Sequence, residues 1–250
     1  MKVYHFEEVT STNDLAREEQ FAHGDLLWAE RQTAGRGQRG HAWLSEEEVN
    51  LTFSLVVEPS FLPAKEQFLL SAATAVALCD CLARYGIEAR IKWTNDIYVE
   101  DRKIVGILIE HFYAGATLRR TVIGIGLNVN QEQFDPSLPN PTSMLLEGEK
   151  RYDREEVLRT FYACFMARYR QVEQGDAEAV LGEYHRLIYR LGEEQLFRLP
   201  NGEELTATIE GIESDGALRL LHAGGKRHSY HFKEIEFVIK NKKKDRDGQF

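Results

Sequence analysis

Between Gln32 and Trp43 the chain reads Gln-Thr-Ala-Gly-Arg-Gly-Gln-Arg-Gly-His-Ala-Trp. Glycine at Gly35, Gly37 and Gly40 lets backbone N–H groups come close to a ligand. The guanidinium groups of Arg36 and Arg39 suit a phosphate or a carboxylate. The spacing is not that of a P-loop, which needs G-x-x-x-x-G-K-[ST] leading into a helix. By composition alone, a flexible surface loop is an equal alternative. The polar Gln32 at one end and the aromatic Trp43 at the other favour a lid over residues 33–42, mobile without ligand and ordered with it.

Three further segments break the local pattern. Lys103 stands at the mouth of the apolar run Ile104-Val105-Gly106-Ile107-Leu108-Ile109. A cation there needs an anionic partner, either a ligand in a cleft or an ordinary salt bridge to Asp96 or Asp101. Lys92-Trp93-Thr94-Asn95-Asp96 ends the preceding strand. Asp96 either caps a turn there or offers a carboxylate to the same cleft. Gly124-Ile125-Gly126-Leu127-Asn128 lacks the third glycine of a dinucleotide fingerprint and lies in a strand rather than opening a helix. Glycines inside a strand mark the close approach of a ligand or of another backbone.

The elements that hold these segments follow from periodicity and punctuation. Residues 3–6, 25–30, 50–57 and 121–130 read as strands, and 89–112 as strand, turn, strand with Glu100-Asp101-Arg102 as the turn. Ser11-Thr12-Asn13-Asp14, a hydroxyl cap followed by an acid, starts a helix expected to run to about residue 21. Pro63 opens a long helix that ends before Gly86. Apolar residues three and four apart predict helices over 153–173 and 177–191. After Gly192 come five short strands at 196–199, 205–212, 217–221, 228–232 and 235–239. Their turns, Asn201-Gly202, Asp215-Gly216 and Gly224-Gly225, imply a small β barrel. The expected fold is α+β. A main domain over 1–191 has a mixed or antiparallel sheet with helices, a small β barrel spans 192–240, and a short basic tail follows at 241–250.

Composition narrows the function classes. The chain has 250 residues, is 43% hydrophobic and carries a net charge of −9. That charge argues against general nucleic-acid binding. The N-terminus is strand-like, with no signal peptide, and no apolar run approaches a membrane span, so a cytoplasmic protein is expected. Cys79, Cys81 and Cys164 form no C-x-x-C motif and read as packed free thiols.

Taken together, Ser11-Thr12-Asn13, the Gln32–Trp43 loop, Lys92-Trp93-Thr94-Asn95-Asp96, Lys103 with Gly106, and Gly124 to Asn128 resemble the catalytic domain of biotin–protein ligases. The terminal barrel is similar to that family's SH3-like domain. The resemblance covers nearly the whole chain and implies an ATP-dependent ligase that makes biotinyl-adenylate and passes biotin to a lysine of a biotin carboxyl carrier protein or domain. It implies biotin, ATP and Mg²⁺ as ligands, with Arg36, Lys103 and Asp96 in catalytic roles. Ser11, Thr12, Asn13, Gln32, Gly35, Arg36, Gly37, Gln38, Lys103 and Gly106 are implied around biotin, and Arg39, His41, Trp43, Asn95 and Asn128 around the nucleotide. No metal-ligating side chains are implied. The family's regulatory members carry a DNA-binding winged helix before the first strand. Here the catalytic domain starts at residue 1, so no DNA and no membrane partner is expected, and the protein is taken as a monomer or homodimer. Thr94 stands where the family often has Pro, and Gln38 where several members have Arg, which removes one cation from the loop. The rival readings are a lipoate or octanoate ligase or transferase of the same superfamily, and a non-catalytic biotin-binding co-repressor.

Overall fold

Seven strands form the main sheet: β1 (Lys2–Val9), β2 (Asp25–Gln32), β3 (Leu51–Val57), β4 (Arg90–Lys92), β5 (Asp96–Val99), β6 (Arg102–Ala114) and β7 (Thr117–Leu127). They lie in the order β1-β2-β3-β7-β6-β5-β4. Only the β1/β2 pair is parallel, so the sheet is mixed and the expected α+β class holds. The computed structural model describes residues 1–38 and 42–238; Arg39, Gly40, His41 and the chain from residue 239, including the basic tail, lie outside the described residues.

A period of two divides the residues between the faces of the sheet. Leu51, Phe53, Leu55 and Val57 of β3, with Val105 and Ile107 of β6 and Ile123, Ile125 and Leu127 of β7, belong to the large core cluster under the helices. Thr52 and Ser54, Gly106, Leu108 and Glu110, and Gly124 and Gly126 therefore fall on the opposite face. The helices are α1 (Thr12–Leu15), α2 (Phe68–Ala83), α3 (Met144–Gly148), α4 (Arg154–Glu173) and α5 (Ala177–Arg186). The helical stretch Ala64–Ala83 is long and apolar enough to cross a bilayer, and most of it is buried inside the protein. That corrects the expectation that no apolar run approaches such a length: α2 is the central core helix, packed against α4 and α5. The three cysteines are free and buried, and burial pushes the Cys81 thiol up to about 12.

Two helices are shorter than expected. The first ends at Leu15, not near residue 21. The reason is Arg120, 8% exposed on β7. Its Nη2 lies 2.9, 2.9 and 2.7 Å from the carbonyl oxygens of Ala16, Glu18 and Phe21. Carbonyls that a helix would have used point instead at the guanidinium. The last helix ends at Arg186 rather than 191, because residues 187–189 extend the sheet beyond β4: Ile91 N donates to Leu187 O at 2.8 Å and Tyr189 N to Ile91 O at 2.9 Å. The stretch 89–112 forms three strands rather than two, since Trp93-Thr94-Asn95 turns the chain between β4 and β5.

The second sheet contains β8 (Glu194–Arg198), β9 (Glu204–Ile212), β10 (Leu218–His222), β11 (Arg227–Tyr230) and β12 (Glu236–Phe237), all antiparallel in the order β11-β10-β9-β8-β12. Gly202, Gly216, Gly224 and Gly225 have positive φ at the turns where glycine was read. The apolar residues Phe197, Ile209, Leu218 and Leu220 join the same core cluster as α2. Trp93 Nε1 donates to Gly216 O at 2.8 Å, so the turn of β4–β5 is tied to this sheet.

Candidate active site

The site is built on the helix-free face of the main sheet, and strand register explains why its glycines are where they are. Thr52 of β3 faces Gly126 of β7, Gly126 faces Gly106 of β6, and Gly106 faces Asp96 of β5. The next row runs from Ser54 to Gly124 to Leu108. Glycine leaves a trough along these rows, and two side chains lie in it. A Cβ on Gly126 would come within 2.1 Å of the Trp43 ring, and one on Gly106 within 2.6 Å. A Cβ on Gly124 would come within 2.2 Å of Asn13 Oδ1. The close approach inferred for Gly124 and Gly126 is thus real, and in this state it is made by the protein's own Asn13 and Trp43.

One rim of the trough is the start of α1. Ser11 caps the helix, its Oγ accepting from Asp14 N. Thr12 N and Thr12 Oγ1 both donate to Gln32 Oε1, at 2.6 and 3.1 Å. With that oxygen taken, the Gln32 amide nitrogen is the atom left for the cleft. Ser54, fully buried, lies 2.8 Å from Thr12 Oγ1 and 2.6 Å from Asn13 Oδ1. Asn13 Nδ2 donates to Leu108 O at 3.2 Å and to Glu110 Oε2 at 3.0 Å, so the Asn13 amide is fixed at both ends.

The opposite rim carries the lysine. Lys103 Nζ lies 2.7 Å from Asp96 Oδ1 and 5.5 Å from the Trp43 ring centre. Its backbone is clamped by a loop: Lys103 N donates to Asn140 O at 2.7 Å and Thr142 N to Lys103 O at 2.9 Å. Asn128 holds that loop, its Nδ2 donating to Thr142 O at 2.9 Å. Asn95 Nδ2 donates to Ile107 O at 2.6 Å. The described ends of the glycine loop line the site through Arg36, Gly37, Gln38 and Trp43, with Trp43 N donating to Gly35 O at 3.0 Å and Thr94 Oγ1 donating to Gln38 Oε1 at 3.3 Å. Arg36 Nη2 lies 2.6 Å from Asp14 Oδ1.

These parts surround a cleft of ≈ 460 Å³, part of it open to solvent. Ser11, Thr12, Asn13, Gln32, Arg36, Gly37, Gln38, Trp43, Asn95, Lys103 and Gly106 all line it. A wider cleft, ≈ 1810 Å³ including open solvent, shares Gly37, Gln38, Trp43, Asn95 and Lys103 with it and reaches Asp96 and Asn128 and, across the second sheet, Phe232 and Phe237. Gly35 packs beside Gln32 at the edge. Arg39 and His41 lie outside the described residues. Ser54, Thr52 and Glu110 complete the site and were not singled out from the sequence, and Asp14, read there only as the acid of a helix start, pairs with Arg36. The first two do leave a signal: Thr52 and Ser54 alternate within the apolar strand Leu-Thr-Phe-Ser-Leu-Val-Val.

The chain matches the model of the biotin/lipoate A/B protein ligase family over residues 4–128. It is 31% identical over 225 residues to the bifunctional ligase/repressor BirA of Bacillus subtilis, covering 87% of this chain and 68% of the relative. It is 32% identical to the protein of that name from Bacillus spizizenii, of whose length it spans 61%. It is 31% identical to the biotin–[acetyl-CoA-carboxylase] ligase of Paracoccus denitrificans, covering 80% of this chain and 85% of the relative. The Aquifex aeolicus biotin protein ligase, solved in complex with biotin and ATP, superimposes with a TM-score of 0.82 at 25% identity, covering 96% of this chain and 99% of that one. The chain belongs to the biotin/lipoate A/B protein ligase family.

Proposed function

We propose that this protein is a biotin–protein ligase, which condenses biotin with ATP to biotinyl-5′-adenylate and transfers biotin to a lysine of a carrier protein. The observation that carries the reading is the convergence of the α1 start, Gln32, the glycine trough and Lys103 on one cleft that opens into a second, larger one. The relatives named as biotin ligases support biotin over lipoate, since the family model spans both acids.

In the first half-reaction an oxygen of the biotin carboxylate attacks the α-phosphorus of ATP, and pyrophosphate leaves. Two anions meet, so their charge must be neutralised first. Arg36 and Lys103 stand around the cleft for that task. The Gln32 amide nitrogen and the hydroxyl of Ser11 offer donors for the polar end of biotin. Among the described residues no three His, Cys, Asp or Glu side chains converge. Mg²⁺ would enter with the phosphates of ATP, and none of these steps runs through it. In the second half-reaction the carrier's neutral lysine amine attacks the acyl carbon and AMP leaves. When Lys103 turns to the phosphate, Asp96 is released to take a proton from the incoming ammonium. The test is which acid drives pyrophosphate release from ATP. Biotin should do so and lipoate or octanoate should not; release with lipoate alone would favour the rival reading.

A further inference from the structure

Asp14 and Glu110 hold two arginines at once. Arg17 Nη2 lies 2.5 Å from Glu110 Oε1, and its Nη1 lies 3.1 Å from Asp14 Oδ1. Arg36 Nη2 lies 2.6 Å from the same Asp14 oxygen and 3.5 Å from the same Glu110 oxygen. The other Glu110 oxygen is taken by Asn13. Two cations therefore compete for two carboxylate oxygens. Arg36 lines the ligand cleft, and Arg17 is not among its lining residues.

We propose that Arg17 is a positioning residue for Arg36: by sharing the Asp14 and Glu110 carboxylates it leaves Arg36 free to turn to an anionic ligand. The role rests on the functional reading above, in which Arg36 meets biotin's carboxylate or the phosphate. Two positive and two negative charges balance in the resting cluster. Without Arg17, Arg36 would face both acids alone and be held harder, and an anion entering the cleft would meet an uncompensated carboxylate. Arg17, Arg36 and Asp14 are about two-fifths exposed, at 40%, 42% and 43%. Pairs so exposed are weak and exchange partners readily. When Arg36 leaves for the ligand, Arg17 takes over the vacated oxygens.

The experiment measures biotin Kd without ATP, and KM and kcat for biotin-dependent pyrophosphate release. The proteins are the wild type, Arg17→Gln, Asp14→Asn and the double variant, each with its melting temperature. Arg17→Gln is expected to weaken biotin about three- to tenfold in Kd and KM, the scale of one or two exposed ion pairs, with kcat within about twofold. Adding Asp14→Asn should restore binding to within about twofold of wild type, and salt near the molar range should narrow the Arg17→Gln defect, since it screens such charges. Arg17→Lys, which keeps the charge, should stay within about twofold of wild type even if Arg17→Gln fails to fold. Wild-type binding in Arg17→Gln, no rescue in the double variant, or a defect in Arg17→Lys as large as in Arg17→Gln would overturn the role. If the wild type itself does not bind biotin, the functional reading fails and this role with it. If the wild type binds and Arg17→Gln equals it, only the role of Arg17 fails.

Discussion

Lys103 and Ser54 carry the sharpest residue-level consequences. Lys103 reaches the glycine trough beside Gly106, held by Asp96 and clamped through its backbone by residues 140–142. Removing its ammonium should leave the clamp intact, because the clamp uses main-chain atoms. Lys103→Ala is therefore expected to fold normally by circular dichroism and to lose biotin-dependent pyrophosphate release by about 10²-fold or more, the scale for a preorganised charge stabiliser. A variant that releases pyrophosphate normally would contradict the role. Ser54→Ala removes the donor between Thr12 Oγ1 and Asn13 Oδ1. A buried acceptor left alone costs about 1–3 kcal/mol, so urea unfolding should report a loss in that range together with a raised KM for biotin. Unchanged stability with unchanged KM would show that water or a neighbour replaces the hydroxyl. Gln38 can also be read at this scale. Its oxygen accepts from Thr94 and it lines both clefts, so Gln38→Arg should slow the escape of preformed adenylate by adding a charged donor. An equal or faster escape rate would show that the position is neutral.

At the scale of elements, strand register decides the site, and register is what the sequence hides. Gly106, Gly124, Gly126 and Lys103 were legible because each breaks an apolar strand, and Gln32 to Trp43 because it carries no apolar period at all. Ser54 breaks its strand as well, but nothing local says that it lies opposite Gly124 or beside Asn13. The helix after Ser11 was overestimated for a similar reason: the residue that takes its carbonyls, Arg120, lies 104 residues from Ala16. β6 also carries a titration that can be checked. His111 Nδ1 lies 2.9 Å from Thr121 Oγ1, and burial lowers its pKa from 6.5 to about 4. Because the folded value lies below the unfolded one, the unfolded chain binds more protons between them. His111 thus imposes no penalty above about pH 6.5, and stability is lost as pH falls towards 4, by about 2–3 kcal/mol from this residue. Unfolding measured from pH 7.5 to 4 should show a flatter pH dependence in His111→Gln than in the wild type; parallel curves would contradict the assignment.

Across the whole molecule, the division into a main sheet and a small β unit was legible from the change of strand length after Gly192, whereas the union of their cores was not. Phe197, Ile209 and Leu220 share one apolar cluster with Leu70 and Leu78 of α2. A Cβ on Gly216 would come within 2.3 Å of the Phe68 ring, and Asp101 binds Tyr189 and Arg190, each at 2.6 Å, at the joint. A fragment ending at residue 191 would expose this surface to water. It is expected to be insoluble or to melt lower by about 10 °C or more, and a soluble fragment with the full-length melting temperature would show that the second sheet is a detachable unit. The joint also lines the wider cleft through Phe232 and Phe237, which connects the second sheet to the proposed transfer step. That step supplies the most direct test. The protein is incubated with ATP, Mg²⁺, labelled biotin and a biotin carrier domain, and the carrier is analysed by mass. The account predicts label on one carrier lysine, dependent on ATP and lost in Lys103→Ala. A carrier that stays unlabelled while a lipoyl domain accepts lipoate or octanoate under the same conditions would contradict it.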